Sequence, residues 1–181
     1  MSAPQIIKAA QFAAQKHTAQ RRKDAQASPY INHPLAVACV LMEEGGVEDT
    51  VILCAALLHD TIEDTQTTKQ ELAELFGLQV AQIVMEVTDD KSLPKSVRKQ
   101  EQIRHAPLLS AQAKQVKLAD KICNLRDLLA SPPSDWSNKR KLEYFDWAAA
   151  VVDGLRGVSL KLERCFDEVF KERSRFSEAM R

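Results

Sequence analysis

The stretch VILCAALLHDTIEDT (residues 51–65) decides how this chain folds. Its first eight residues, Val51 to Leu58, are apolar on every side of a helix, and such a helix belongs in the middle of a core. The apolar run stops at His59 and Asp60. If the helix continues, Glu63 lies one turn beyond His59 and Asp64 one turn beyond Asp60. Four ionisable groups then crowd at the end of an apolar rod. Like charges at that spacing destabilise a fold unless a cation binds there, so the cluster points to function rather than to scaffolding.

Outward from this centre the apolar period stays helical. Ile6, Ile7, Ala10, Ala13 and Ala14 recur at three- and four-residue steps behind Pro4, a residue suited to a helix start. A polar, basic stretch, Ala19 to Ser28, reads as a loop. Leu35, Val37, Ala38, Leu41 and Met42 predict the core face of a second helix, closed by Gly45 and Gly46. Thr68 with Glu71 forms a capping-box pattern ahead of Leu72, Leu75 and Phe76. Further helices are expected over 80–87, 95–105, 110–130, 136–152 and 155–170, with a charged loop at 88–94 and a stop at Pro132–Pro133. Alternating β-branched runs are scarce, so the expectation is an all-α fold of about eight or nine helices. No repeat or linker divides the chain, and 1–181 reads as one domain.

The 181 residues are enough to bury a core without disulfides. Lys plus Arg and Asp plus Glu each number 25, for a formal net charge of zero. That balance excludes general nucleic-acid binding, which needs a basic face, but not a compact anion held by a local basic cluster. No apolar stretch is long enough for a membrane span, and no signal peptide is recognisable. Cys39, Cys54, Cys123 and Cys165 are widely spaced within apolar helical patterns and read as buried, reduced thiols. A cytoplasmic location follows.

The distribution of His and Asp carries the chemistry. His33 and His59 lie beside segments that should be buried. Asp120 sits within VKLADKICNL, where Leu118, Ile122 and Leu125 mark the core face. A buried carboxylate is costly unless paired or bound to metal. Three separate helices thus offer an imidazole, an imidazole with a carboxylate, and a carboxylate. Mixed nitrogen and oxygen donors suit Mn²⁺, Fe²⁺, Co²⁺ or Zn²⁺ better than Ca²⁺ or Mg²⁺. His17 and His105 join no acidic cluster and read as structural or surface residues; Trp136 and Trp147 read as packing.

RRKDAQASPYINHP (21–34), ALLHDTIEDT (56–65) and VKLADKICNLRDL (116–128) together resemble the successive motifs of RelA/SpoT-type HD-domain hydrolases, and within them the stand-alone small alarmone hydrolases of the metazoan SpoT-homologue kind. The likeness extends over about Ala9 to Phe170 and takes in VTDDKSLPK (87–95) and KRKLEYFDWA (139–148). It implies the all-α HD fold and removal of the 3′-pyrophosphate from (p)ppGpp, giving GDP or GTP. By the same resemblance His33, His59, Asp60 and Asp120 are ligands of one divalent metal, usually Mn²⁺, and Glu63 and Asp64 orient or deprotonate the attacking water. Arg22 would border the purine, Lys23 would meet phosphate, Asn124 would face the pocket, and Lys95, Arg140 and Tyr144 would contact substrate phosphates. No motif residue is missing. Two alternatives stay open from the residues themselves: a phosphatase of NADPH or another phosphorylated nucleotide on the same metal site, and a nucleotide-binding module without turnover.

Overall fold

The computed structural model describes residues 3–178. Among them no sheet forms, and a single extended pairing sets Arg21 antiparallel to Pro29. Eleven α-helical segments follow one another, nine of them eight residues or longer, in agreement with the all-α expectation. No helix among these residues is long and apolar enough to cross a membrane.

Two inner helices organise the rest. The first, α3 (Thr50–Leu58), begins where the Asp49 side chain accepts a hydrogen bond from Val51 N, satisfying an otherwise orphaned amide. Ile52 to Leu58 are all buried. Around α3 pack α1 (Ala3–Lys16), α2 (Asn32–Cys39), α6 (Leu78–Val87) and α8 (Ala111–Ala130). On α1 the fully buried residues are Ala9 and Ala13, whose small side chains let two helices approach closely. The second inner helix is α8, 20 residues long and buried almost continuously from Val116 to Cys123. It also meets α9 (Asn138–Asp153) and α10 (Leu160–Lys171). The remaining segments, α4 (Thr61–Asp64), α5 (Lys69–Phe76), α7 (Lys95–His105) and α11 (Ser174–Glu178), lie around this pair.

Four local readings are corrected. The central helix does not run through its acidic end: Asp60 has φ −98° and ψ −3°, and α4 is a separate turn. The His59 Nδ1 bond to Ala56 O (2.7 Å) and the Thr61 Oγ1 bond to Leu58 O (2.7 Å) occupy carbonyls that the helix would otherwise use. Asp64 N still donates to Asp60 O at 2.9 Å, so the one-turn relation of those two carboxylates survives the break. Along α2 and the turn after it the buried residues include His33, Val37 and Leu41, at four-residue steps, while Leu35 and Met42 are 41% and 48% exposed. A π turn over Val40–Glu44, closed by Gly45 N on Val40 O at 2.9 Å, follows. A Cβ on Gly45 would meet Leu41 O at 2.7 Å and Leu162 at 3.0 Å, so the chain can pass α10 here only without a side chain.

Thr68 does cap α5, accepting from Glu71 N at 3.1 Å, but Glu71 does not complete the reciprocal box. Its carboxylate turns instead to Lys16 Nζ at 2.9 Å and ties α5 to α1. Of the four free thiols only Cys54 and Cys123 are buried; Cys165 is half-buried and Cys39 is exposed, two positions off the Val37–Leu41 stripe.

Candidate metal centre and its cleft

The chain break after α3 aims two adjacent side chains at one point. His59 Nδ1–H is fixed by the Ala56 carbonyl, so Nε2 carries a lone pair. That Nε2 is buried and has no hydrogen-bond partner among the described residues, yet it stands 3.0 Å from Asp60 Oδ2 and 3.9 Å from Asp120 Oδ1. From the first turn of α2, His33 Nε2 comes within 3.1 Å of Asp120 Oδ1 and 3.9 Å of Asp60 Oδ2. One donor atom each from His33, His59 and Asp60 fall within 4.8 Å of one another. Asp120, from the middle of α8, is not one of that group of three, but its Oδ1, which also accepts from Asn124, approaches both imidazoles. A lone pair facing carboxylate oxygens in a buried site repels unless a cation sits among them. The donor set therefore fits a divalent ion with two nitrogen and two oxygen ligands.

The charges around this cluster agree. Without a metal the site draws in a proton as its cation: burial opposes protonation of His59, but Asp60 and Asp120 outweigh it and raise its pKa to about 9, so a divalent ion would take the place of the Nε2 proton. Burial likewise opposes ionisation of Asp60 and Asp120. Their cationic neighbours prevail: His59 and His33 hold Asp60, and Lys121 with the imidazoles holds Asp120, below the usual carboxylate range. Tyr30 Oη donates to Asp60 Oδ2 at 2.6 Å, while Lys121 Nζ (3.1 Å) takes Asp120 Oδ2 and leaves Oδ1 to face the imidazoles.

Glu63 and Asp64 share a turn but not an environment. Asp64 lines the cleft above the cluster and is held by Gln20 Nε2 at 2.7 Å and by Lys91. Glu63 lies behind it, its Oε2 accepting from Asp89 N at 3.1 Å and its Oε1 near Arg98 (3.9 Å) and Lys91 (4.0 Å). Burial, then Asp89 and Asp60, push Glu63 up to about 7, close to the value that suits a proton acceptor at neutral pH.

The cleft encloses about 730 Å³ and is walled by Arg22, Lys23, Lys95, Asn124 and Tyr144, with His33 at its floor. The loop that carries Arg22 is folded, not loose: Arg22 N donates to Ser28 O (2.9 Å) and Asp24 caps both Gln26 and Ser28. The Arg22 guanidinium pairs with Asp127 and lies 5.7 Å from the centre of the Tyr30 ring. Asn124 lines the wall, but its amide donates to Asp120 Oδ1 at 2.5 Å, so it steadies the floor as well. Arg140 does not line this cleft. It lines an adjoining one of about 500 Å³ that shares Lys95, Trp136 and Tyr144 with the first, and it stacks 4.4 Å above Trp136. Trp136 packs against the core as expected and also lines both clefts; Trp147 packs likewise, donating from Nε1 to Lys99 O at 3.1 Å. Tyr144 stands between the two tryptophans, at 5.5 Å and 5.2 Å, with its hydroxyl pushed up by burial to about 12.

Sequence reasoning passed over Tyr30, Gln20, Lys91 and Lys121. Lys121 did leave a signal, since it lies three residues after Leu118 and four before Leu125, on the face those leucines mark as core. Tyr30 lies in a turn three residues before His33, where no period marks it. His17 is buried beside Gln20 (Nδ1 to Oε1, 2.6 Å) and His105 is exposed beside Glu101, so both are structural or surface residues.

The family model of the HD domain matches residues 9–146. The chain belongs to the HD-domain family. It is 55% identical over 171 residues to guanosine-3′,5′-bis(diphosphate) 3′-pyrophosphohydrolase MESH1 of Mus musculus, covering 94% of this chain and 96% of that one. Its identity to the MESH1 of Xenopus tropicalis is 57% over 167 residues, covering 92% and 93%. A solved structure described as a metazoan ortholog of SpoT that hydrolyzes ppGpp superposes with a TM-score of 0.91 at 47% identity, covering 96% of this chain and 97% of that one. HD membership and the SpoT-like fold were both expected from the three sequence motifs.

Proposed function

We propose that this HD-domain chain, acting as one catalytic unit, hydrolyses the 3′-pyrophosphate of (p)ppGpp to give GDP or GTP and pyrophosphate. The observation that carries the reading is the unpartnered Nε2 of His59, aimed at Asp60 and Asp120 beneath a cleft floored by His33 and walled by Arg22, Lys23 and Lys95. Relatives covered over almost their whole length bear that activity in their names.

His33, His59, Asp60 and Asp120 would hold one divalent ion, which we take to be Mn²⁺, although Fe²⁺, Co²⁺ or Zn²⁺ would suit the same donors. Such an ion supplies Lewis acidity, polarising a phosphoryl oxygen and acidifying water. The chain's own residues do the rest. Glu63, poised near neutrality, accepts the proton of the attacking water; Asp64, in the wall, orients that water. Lys23 and Lys95 meet phosphate, Arg22 exchanges Asp127 for the nucleotide and borders its base, and Tyr144 with Arg140 extends the site toward the adjoining basic cleft. A cytoplasmic location accords with four cysteines that are all free thiols.

The test is a side-by-side assay of purified, Mn²⁺-loaded protein on ppGpp and NADPH, with metal content measured by elemental analysis. Pyrophosphate as main product from ppGpp supports the reading. Orthophosphate from NADPH at higher kcat/KM would replace it with a nucleotide phosphatase, and binding without turnover of either would reduce the chain to a binding module.

A further inference from the structure

Behind Glu63, on the side away from the metal cluster, lies a second polar arrangement that the proposed reaction does not use. Glu63 Oε2 is gripped by the backbone amide of Asp89, at 3.1 Å. That amide belongs to the loop after α6, and the loop is anchored from two helices. Gln102 on α7 donates through Nε2 to Asp89 Oδ2. Lys117 on α8, only 9% exposed, donates through Nζ to Val87 O at 3.0 Å and stands 3.9 Å from Asp89 Oδ1. The same loop sends Lys91 to Asp64 and to within 4.0 Å of Glu63. A cavity of about 260 Å³ is lined by Asp89, Arg98, Gln102 and Lys117 among others.

A buried ammonium needs a reason, because removing it from water is expensive unless carboxylates or carbonyls surround it. Here its neighbours include the Val87 carbonyl, at the end of α6 where the loop begins, and the Asp89 carboxylate in the loop. It lies one turn before Asp120 on the same helix, so the helix that fixes the metal cluster also fixes the loop gripping the base. We propose that Lys117, acting through Asp89, is a positioning residue that holds the Glu63 carboxylate in register with the metal cluster. It touches neither substrate nor metal ligands. Its work is to keep the Asp89 amide where Glu63 can accept from it. This rests on the reading of Glu63 as proton acceptor.

The experiment compares wild type, Lys117→Met, Asp89→Asn, Glu63→Gln and the Glu63→Gln/Lys117→Met pair as Mn²⁺-loaded full-length chains turning over ppGpp. Metal content and Asp89 amide exchange are read in parallel. Lys117→Met and Asp89→Asn are each expected to lower kcat about 10- to 100-fold, the usual scale for outer residues that orient a site. KM should stay within about twofold and metal at one ion per chain, while the Asp89 amide exchanges at least roughly tenfold faster in Lys117→Met. Residues in one network are non-additive, so the double variant should be no slower than Glu63→Gln alone. An additive double variant, or an unchanged kcat in Lys117→Met beside an impaired Glu63→Gln, overturns the inference while leaving the base in place. Full turnover in Glu63→Gln removes the base itself and this inference with it. Should Lys117→Met fail to fold, Asp89→Asn, which keeps the amide, decides through the same cycle with Glu63→Gln.

Discussion

The floor of the cleft and its rim are built on opposite principles. On the floor His33, His59 and Asp120 are each under 10% exposed, sit on or directly after helices, and lie within 3.9 Å of neighbouring donors. Burial and short reach leave them one arrangement, which is what a metal or a transition state rewards. The rim uses long cations on loops and an outer helix, each parked on a carboxylate: Arg22 on Asp127, Lys91 on Asp64, Arg140 near Asp135 at 3.8 Å. A phosphate must displace those carboxylates, so rim contacts contribute only the difference between two ion pairs. The floor should therefore govern whether chemistry occurs, and the rim how tightly substrate is held.

The hardest blow to that contrast is on the floor. His59→Ala or Asp60→Ala is expected to abolish both metal content and hydrolysis; retention of a full complement of metal in either would break the proposed cluster. Next comes the acid pair. Glu63→Ala or Asp64→Ala should keep the metal and lower turnover roughly 10²–10⁴-fold, the range supplied by positioned proton transfer. Glu63 also gives a stability readout free of substrate. Its folded pKa of about 7 lies above the ordinary 4.5, so the carboxylate weakens the fold. Below about pH 4.5 both states hold the proton and nothing is lost. Between 4.5 and 7 the unfolded chain releases its proton first, stability falls as pH rises, and above 7 the penalty is complete. In chelator-treated protein, Glu63→Gln should thus gain on the order of 3 kcal/mol over wild type at pH 8 and nothing at pH 4. An equal difference at both pH values would show that burial does not strain Glu63.

How much of this could be read beforehand follows the same division. The floor was legible because burial writes itself into the sequence: a polar residue at the end of, or inside, an apolar helical period stands out, as His59, Asp60 and Asp120 do. The break at Asp60 was not, because it depends on His59 and Thr61 side chains taking carbonyls from α3, a competition that periodicity does not register. Leu35 and Met42 were misplaced since four-residue steps from His33 define the buried face, and an apolar residue one or two positions off it looks the same in one dimension. On the rim, Arg22 and Arg140 were found only through motif resemblance. Their partners Asp127 and Asp135 come from charge balance in three dimensions, which charge runs do not reveal.

At the rim the expected effects shrink in order of burial. Arg22 is 17% exposed at its side chain, packed on Tyr30, and Arg22→Ala should raise KM about tenfold with kcat little changed. Arg140 is the weakest test and the sharpest. Its side chain is 46% exposed, it stacks on Trp136 at 4.4 Å, and it faces the adjoining cleft rather than the metal. Exposed charges are screened by salt within about 10 Å at 0.1 M, so its attraction for phosphate should weaken as salt is added. Arg140→Ala should raise KM only about two- to fivefold at low salt, and the gap from wild type should close as ionic strength rises to about 0.5 M. Arg140→Lys keeps charge but loses the planar stack, and should recover most of that loss if charge alone matters. A salt-independent, kcat-borne defect in Arg140→Ala would move this residue from the rim's logic to the floor's.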